Sequence, residues 1–449
     1  MKHVICLTTG LTGILNASFE VLSRLEKAGY RVTCACPRGV GERVQQQGFE
    51  FWGLPPRQFE TAPNLPPKVA QRGKLQRLKY KWQHRRERQQ IAIESLRMSN
   101  FEQQIVDRQP DLWLVDVELH EYIFTLIAKK EPVLLLSQWF SLWRRKGLPP
   151  LLHATIPQAN WRSKLSLWLA WERIEWQRGW MFFKQKMRSA ATDRRSVLSA
   201  YAKKVGFPKK YIRDNYWPGP FTYGELPVLS MTALEMEFPH VPRPNLTYIG
   251  PCVFSNRKDI QVSEATQRQL AQFYQQKRAG KSLLYCSVST FKKGDTNFLK
   301  QLIAAVASEK NWLLIIGLGG KLDPAALGDL SKNIAAFTYV PQLEILAQAD
   351  LSINHGGIHT IHECIHFAVP MLVYSGKRSD QNGCAARVQY HGLGIMADKD
   401  QDGAADIQRK IKKVLTEKHF QKQIKKYKKI AEIYQKDMIL EQQIEKYCS

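Results

Sequence analysis

Short apolar runs alternate with helix-like segments along the first 130 residues. His3–Thr8 and Tyr30–Ala35 carry the composition of buried strands, and between them Phe19–Ala28 has helical periodicity closed by Gly29. Leu112–Val117, introduced by Pro110-Asp111, and Pro132–Ser137 predict two more strands. The rhythm stops near residue 140 and restarts at Lys281. Strands are expected at Ser282–Ser287, Trp312–Gly317, Ile334–Tyr339, Leu351–Asn354 and Met371–Tyr374, with a helix over Thr296–Glu309. From Ala404 onward the chain reads as helix. Strand–helix alternation of this kind predicts parallel, doubly wound sheets, which take ligands at the carboxyl ends of their strands.

The interval between the two alternating regions is different. Residues 68–88 hold nine Lys or Arg against Glu87 alone, and residues 139–217 hold eight of the twelve tryptophans. From Trp161 to Phe183 the pattern predicts an imperfect amphipathic helix. Trp161, Leu165 and Trp168 fall on one side, Arg162, Ser166, Arg173 and Gln177 on the other, and Lys164, Glu172 and Glu175 break the apolar arc. The proline-rich passage from Pro218 to Pro251 reads as irregular chain leading to a linker. The expected division is an N-terminal Rossmann-like domain over 1–250, with insertions at 68–88 and 139–217. A second such domain follows over 251–430, and residues 431–449 read as a C-terminal helix.

Composition changes this picture in one respect. The 449 residues carry 66 Lys and Arg against 40 Asp and Glu, a net charge of +26. That excess favours a polyanionic partner: nucleic acid, an anionic membrane surface or a phosphorylated substrate. Nucleic acid is supported by charge alone, because no RNA- or DNA-binding motif accompanies it. No apolar stretch approaches the ~20 residues that span a bilayer. The N-terminal VICLTT is expected to be a buried strand followed by a glycine-rich turn rather than a signal peptide. Eight cysteines without C-x-x-C spacing read as small core residues, Cys34 and Cys36 among them, and suit a reducing cytoplasm, with attachment to a membrane only at its periphery.

Candidate chemistry concentrates in residues 339–394. After a strand ending at Asn354, His355-Gly356-Gly357 predicts a tight turn and a helix opening near Ile358. Glycines there let backbone N–H groups approach a ligand, and the helix N-terminus favours phosphate. Thr360 belongs to that first turn, and Glu363, one turn beyond His359, suits ribose hydroxyls. Asp380-Gln381, after the next strand, suits sugar hydroxyls. A rival lies in the same segment: His362-Glu363-Cys364-Ile365-His366 satisfies the zinc-protease pattern H-E-x-x-H. No third-ligand motif follows it, and Pro370 shortens the helix; no metal site is expected.

The segment resembles the nucleotide-sugar signature of family 1 glycosyltransferases, the UDP-glycosyltransferase superfamily with the GT-B fold. Tyr339-Val340-Pro341-Gln342 matches its first element with Tyr in place of Trp, and the match continues at His355, Gly356, Gly357, Thr360, Glu363, Pro370, Asp380 and Gln381. Upstream, residues 287–290 resemble the family's S-x-G-S/T turn, with Ser289 in the glycine's place. The resemblance implies two Rossmann-like domains facing across a cleft, with the C-terminal helix 431–449 packing back toward the first, and inverting transfer of a hexose from a nucleotide sugar, UDP in the usual case, with no metal or other cofactor required. It implies a donor site of Ser289, Thr290, Tyr339, Val340, Gln342, His355, Gly356, Gly357, His359, Thr360, Glu363, Asp380 and Gln381, with Tyr339 stacking on the base. The acceptor is expected to be lipophilic: a lipid, sterol, carotenoid or other aglycone.

The chain departs from the pattern where many members carry a catalytic histidine, in the loop after the first strand. Gly13, Ile14 and Asn16 take that acceptor-side place, and isoleucine cannot accept a proton. Asp116 or His120, near the end of a strand, is then the candidate base; the alternative readings are that Asp116 caps the next helix and His120 lies on the surface. The loss of histidine also supports a second reading of the whole chain, as an inactive nucleotide-sugar-binding partner or regulatory protein.

Overall fold

The computed structural model describes all residues except 56–61, 213–222, 259–260, 288–294, 321, 378–379 and 449. Two wholly parallel sheets organise it. The first contains β1 (His3–Leu7), β2 (Arg31–Pro37), β3 (Glu50–Leu54), β4 (Leu112–Asp116), β5 (Val133–Ser137), β6 (Val228–Ser230) and β7 (Leu246–Tyr248), in the order β3-β2-β1-β4-β5-β6-β7. The second contains β8 (Ser282–Ser287), β9 (Trp312–Gly317), β10 (Ile334–Phe337), β11 (Leu351–Asn354), β12 (Met371–Tyr374) and β13 (Gly394–Ala397), in the order β10-β9-β8-β11-β12-β13. In both, the chain winds outward from a central strand in one direction and then in the other. The ligand-binding crevice of such a sheet lies where the order reverses: beside β1 and β4, and beside β8 and β11.

β4, β5, β9, β11 and β12 are buried along their whole length, because helices cover both faces. That is why they read as continuous apolar runs instead of alternating ones. The alternation does not in fact stop at residue 140. β6 and β7 lie inside the passage expected to be irregular, and β3 and β13 were also not foreseen. β6 and β7 have three residues each, too few to show a period, and β3 mixes Glu50 and Gly53 with its apolar residues. The strand expected to run to Tyr339 ends at Phe337. The helix expected from Phe19 begins at Thr12, so Gly13, Ile14 and Asn16 sit in its first turns and not in a loop.

Helix Trp161–Ser189 runs for 29 residues, longer than the sequence pattern suggested. At the other end of the chain, helix Ile439–Cys448 lies against the first sheet's domain. Leu440, Ile444 and Cys448 join the core around β1, β2 and β4, and Arg24 makes a two-pronged ion pair with Glu441. All eight cysteines are buried and unbridged.

Candidate active site

The turn after β11 is fixed by its own side chains. Gly356 has φ +81°, and a β-carbon there would meet Val373 Cγ1 at 2.9 Å and the Gln381 carbonyl oxygen at 3.0 Å. Only glycine satisfies both demands. Asn354 Oδ1 accepts the Gly356 N–H at 2.9 Å, and Gly357 then leads into helix Ile358–His366. His359 and Thr360 follow at once, so the free N–H groups and positive end of this helix open beside His355. Burial holds the His355 imidazole below its usual pKa, opposed by a hydrogen bond with the Ser287 backbone at the end of β8.

One turn further on, Glu363 is almost wholly enclosed. Its Oε1 accepts from Arg257 Nη1 at 2.6 Å and its Oε2 from Gln342 Nε2, while Gln342 Oε1 accepts from Tyr285 OH at 3.2 Å. Gln342 begins helix Gln342–Gln348, and Val340, just before it, packs over Gly317. Tyr339 is half exposed, with its ring over Gly320, where a β-carbon would lie 2.0 Å from the hydroxyl. Asp380 precedes helix Gln381–Tyr390 and is buried with Gln381. Among the described residues, Ser287 Oγ, His362 Nε2 and Gln381 Oε1 are buried polar atoms without a hydrogen-bond partner. Such atoms are costly unless something polar meets them. Ser289 and Thr290 lie outside the described residues.

The first domain approaches this site closely. A β-carbon on Gly13 would stand 2.5 Å from His359 Cδ2, and the Phe140 ring lies edge-on to His362 at 6.4 Å between centroids. Gly383 N–H donates to the Leu151 carbonyl at 2.9 Å, and Asn382 Nδ2 to the Leu152 carbonyl at 3.0 Å. Asn16 Oδ1 accepts from Arg43 Nη2 at 2.7 Å, and Ile14 is buried.

Asp116 is buried at the end of β4. Its Oδ1 accepts the Glu118 N–H at 2.9 Å and its Oδ2 the Gln138 amide at 3.2 Å. It does not cap the following helix, whose N-cap is Leu119. His120 is not a surface residue either: it is buried, bonded through Nδ1 to Tyr223 OH and stacked on Phe124. Glu121 is paired with Arg194.

The zinc-protease pattern finds no third partner. Among the described residues no group of three His, Cys, Asp or Glu is placed to hold a metal ion, and Glu363 is engaged by Arg257 and Gln342.

Comparison with known proteins agrees with this geometry. Residues 309–432 match the family described as erythromycin biosynthesis protein CIII-like, C-terminal domain. NDP-glycosyltransferase YjiC of Bacillus subtilis (strain 168) is 30% identical over 147 residues, which are 33% of this chain and only 37% of that relative. The oleandomycin glycosyltransferase of Streptomyces antibioticus is 26% identical over 402 residues, 88% of this chain and 78% of the relative. The crystal structure of the glycotransferase of kitacinnamycin superposes with a TM-score of 0.69 at 20% identity, covering 100% of this chain and 99% of that one. The chain has the GT-B fold, and its residues 309–432 are similar to the C-terminal domain of glycosyltransferases of that fold.

Against the family pattern, the residue that sequence reasoning missed is Arg257. It lies in an irregular segment where no periodicity or motif singles out one basic residue, yet it reaches the family's glutamate, Glu363. The histidines of the signature helix are a second surprise. Burial, with the Arg257 charge beside it, pushes His359 down to about 4, and burial with His359 beside it pushes His362 down to about 3. His391, enclosed near Tyr427, is likewise pushed down to about 4 by burial.

These three are neutral when folded and bind protons near pH 6.5 when unfolded, so the unfolded chain takes up more protons below that pH. Glu20, pushed up to about 7 by burial, opposes them by one proton. Stability is therefore expected to hold above about pH 6.5 and to fall towards pH 4, by on the order of 2 kcal/mol per pH unit at the steepest. Denaturant midpoints across that window check it, and His362→Leu should flatten the profile. A midpoint unchanged from about pH 7 to 5 would refute the assignment.

Proposed function

We propose that the protein transfers a hexose from a nucleoside diphosphate sugar, uridine being the nucleoside, to a hydroxyl group of a lipophilic acceptor. The observation that carries this reading is the Gly356-Gly357 turn into helix Ile358–His366, with Glu363 one turn on and Ser287 Oγ and Gln381 Oε1 buried without partners. The helix N-terminus receives the diphosphate, together with His355, Thr360 and, by the resemblance, Ser289 and Thr290. Glu363 takes the ribose, exchanging at least part of its bond network for the ligand. Tyr339 lies against the base, and Asp380 with Gln381 takes sugar hydroxyls. No metal is required, since the helix terminus and the imidazole stand where charge develops on the leaving diphosphate.

In the transfer step a base removes the acceptor's hydroxyl proton and the oxygen attacks C1 from the face opposite the leaving group. The C1–O bond to the nucleoside diphosphate breaks with its electron pair, and the anomeric configuration inverts. Ile14 cannot be the base, so the role falls to Asp116 or His120, each at the carboxyl end of the central sheet. Either Asp116→Asn or His120→Ala is expected to lower kcat by at least about a hundredfold. Full turnover in both variants would exclude them.

Thermal stabilisation by a panel of nucleotides and nucleotide sugars tests the donor. A ligand at a hundred times its Kd adds about 2.7 kcal/mol to the native state. Stabilisation by a uridine diphosphate sugar, and transfer of its labelled sugar to a lipophilic hydroxyl, are the expected results. Stabilisation with no product from any acceptor would favour the second reading that Ile14 raises, an inactive nucleotide-sugar-binding protein. Among the described residues no helix is long and apolar enough to cross a membrane. A lipophilic acceptor is then met at a membrane surface by peripheral attachment, which suits the net charge of +26.

A further inference from the structure

Helix Trp161–Ser189 is held to the rest of the protein by a narrow strip. Only Leu167, Trp171 and Ile174 are buried along it, and Trp171 Nε1 donates to the Leu148 carbonyl at 2.8 Å. Trp161, Leu165, Trp168, Leu169, Trp176, Trp180, Phe183 and Met187 are all exposed, Trp176 by 70% and Trp161 by 68%. At 3.6 residues per turn these eight fall within about a third of the helix circumference, on the side away from the buried strip, and the stripe is about 40 Å long. Trp176, Trp180 and Phe183 lie ring on ring, with centroids 6.5 and 5.7 Å apart. Glu172, held by Arg144 at 2.8 Å, interrupts the stripe near its middle, and an exposed, largely apolar surface of this length marks an interaction surface.

Cations border it. Arg162, Arg173 and Lys184 follow one edge, with Lys184 Nζ 4.8 Å from the Trp180 ring and the Arg162 guanidinium 5.7 Å from that of Trp161. The helix Lys74–Gln83 of the basic insertion docks at the far end. There Trp82 Nε1 donates to the Met187 carbonyl at 3.2 Å and Lys81 Nζ to the Arg188 carbonyl at 3.4 Å. Two unusual stretches, 68–88 and 139–217, thus meet in one surface. A second copy of this chain would set like charges against one another along the stripe, whereas an anionic bilayer complements them. Indoles with neighbouring Arg and Lys are also the side chains that settle at the headgroup level.

We propose that this face is the membrane-docking surface. The helix lies in the plane of an anionic bilayer, with Trp161, Trp168, Trp176 and Trp180 among the headgroups and Lys74, Lys79 and Lys184 against lipid phosphate. The inference deepens the reading of a lipophilic acceptor, but its test uses no turnover. The full-length chain is sedimented with vesicles of phosphatidylcholine alone or with added phosphatidylglycerol. Binding is expected only with phosphatidylglycerol, and it weakens in high salt. Trp168→Ser with Trp176→Ser, and separately Lys79→Glu with Lys184→Glu, should each lower it by on the order of tenfold or more. None of these four residues touches the sugar-nucleotide site, so nucleotide binding and circular dichroism should be unchanged. Equal sedimentation with both vesicle types, or an unaltered affinity in the tryptophan double variant, would overturn the proposal. So would a dimer that the tryptophan changes dissociate. Vesicle binding by a protein that takes no sugar nucleotide would leave this surface standing and remove the transferase reading alone.

Discussion

Glu363→Gln is expected to weaken nucleotide-sugar binding by ten- to a hundredfold, the range that loss of a charge-assisted hydrogen bond of about 1.5–3 kcal/mol implies. The carboxylate has no other place to go. Its neighbours Gln342 and Arg257 hold it from two sides, and Tyr285 supports Gln342 from behind. A glutamine keeps the volume but surrenders the charge and one acceptor oxygen. It also leaves the Arg257 guanidinium, itself enclosed, without its counter-ion, which destabilises the fold. Calorimetric affinity must therefore be taken per folded molecule, beside a denaturation curve. His355→Ala supplies the independent arm: it removes an imidazole at the turn and leaves the Arg257–Glu363 pair intact. Its affinity should fall by about tenfold or more. Unchanged affinity in both variants would remove the donor site from this helix.

The turn and the helix start at this proposed site were legible in the sequence for a local reason. A turn that must place backbone N–H groups beside a phosphate needs glycine at a positive φ, and a helix must start immediately after it. Asn354, Gly356 and the start at Ile358 satisfy this within five residues, so the motif survives as a string. β8, β9, β11 and β12 were legible for a related reason. Strands buried on both faces are runs of apolar residues whose ends are marked by polar ones.

What was not legible depends on contacts distant in sequence. Arg257 is bonded to a residue 106 positions away and sits among no pattern. β6 and β7 exist because β5 offers an unpaired edge, so three residues of ordinary composition suffice. His120 gave the same ambiguity from the other side: a histidine next to Glu118 and Glu121 reads as surface, and only the fold brings Tyr223 and Phe124 around it. The Trp-rich stretch shows both sides. The helix was expected, but Trp171 carries the same letter as Trp168 and lies in the interface with Leu148, while Trp168 is exposed. A helical wheel separates the two faces only after the buried one is known.

The largest effect on stability is expected from Glu237→Ala. Arg387 is among the largest fully buried side chains, and Glu237 is its counter-ion. Arg387 Nε and Nη2 donate to Glu237 Oε2 at 2.8 and 2.5 Å, and Nη1 donates to the Gly383 carbonyl at 3.0 Å. The remaining oxygen, Glu237 Oε1, accepts the Ser141 N–H at 2.5 Å, and the guanidinium lies 4.7 Å from the Phe140 and Phe238 ring centres. Removing the carboxylate strands a buried cation, at a cost of about 3–5 kcal/mol. Replacing both partners by apolar residues of similar volume, Glu237→Leu with Arg387→Met, should cost much less, because no charge is then left unpaired. Equal losses in the single and double variants would show that packing, and not the ion pair, is what matters. The consequence reaches the site, because Arg387 stands on the helix that begins at Gln381, while Glu237 and Ser141 belong to the first sheet's domain. The pair clamps the helix Gln381–Tyr390, which carries the proposed sugar-binding residues, to the first sheet's domain. At temperatures where Glu237→Ala remains folded, its kcat should therefore fall further than its affinity for the sugar nucleotide, since alignment of the two substrates across the cleft is what the clamp maintains.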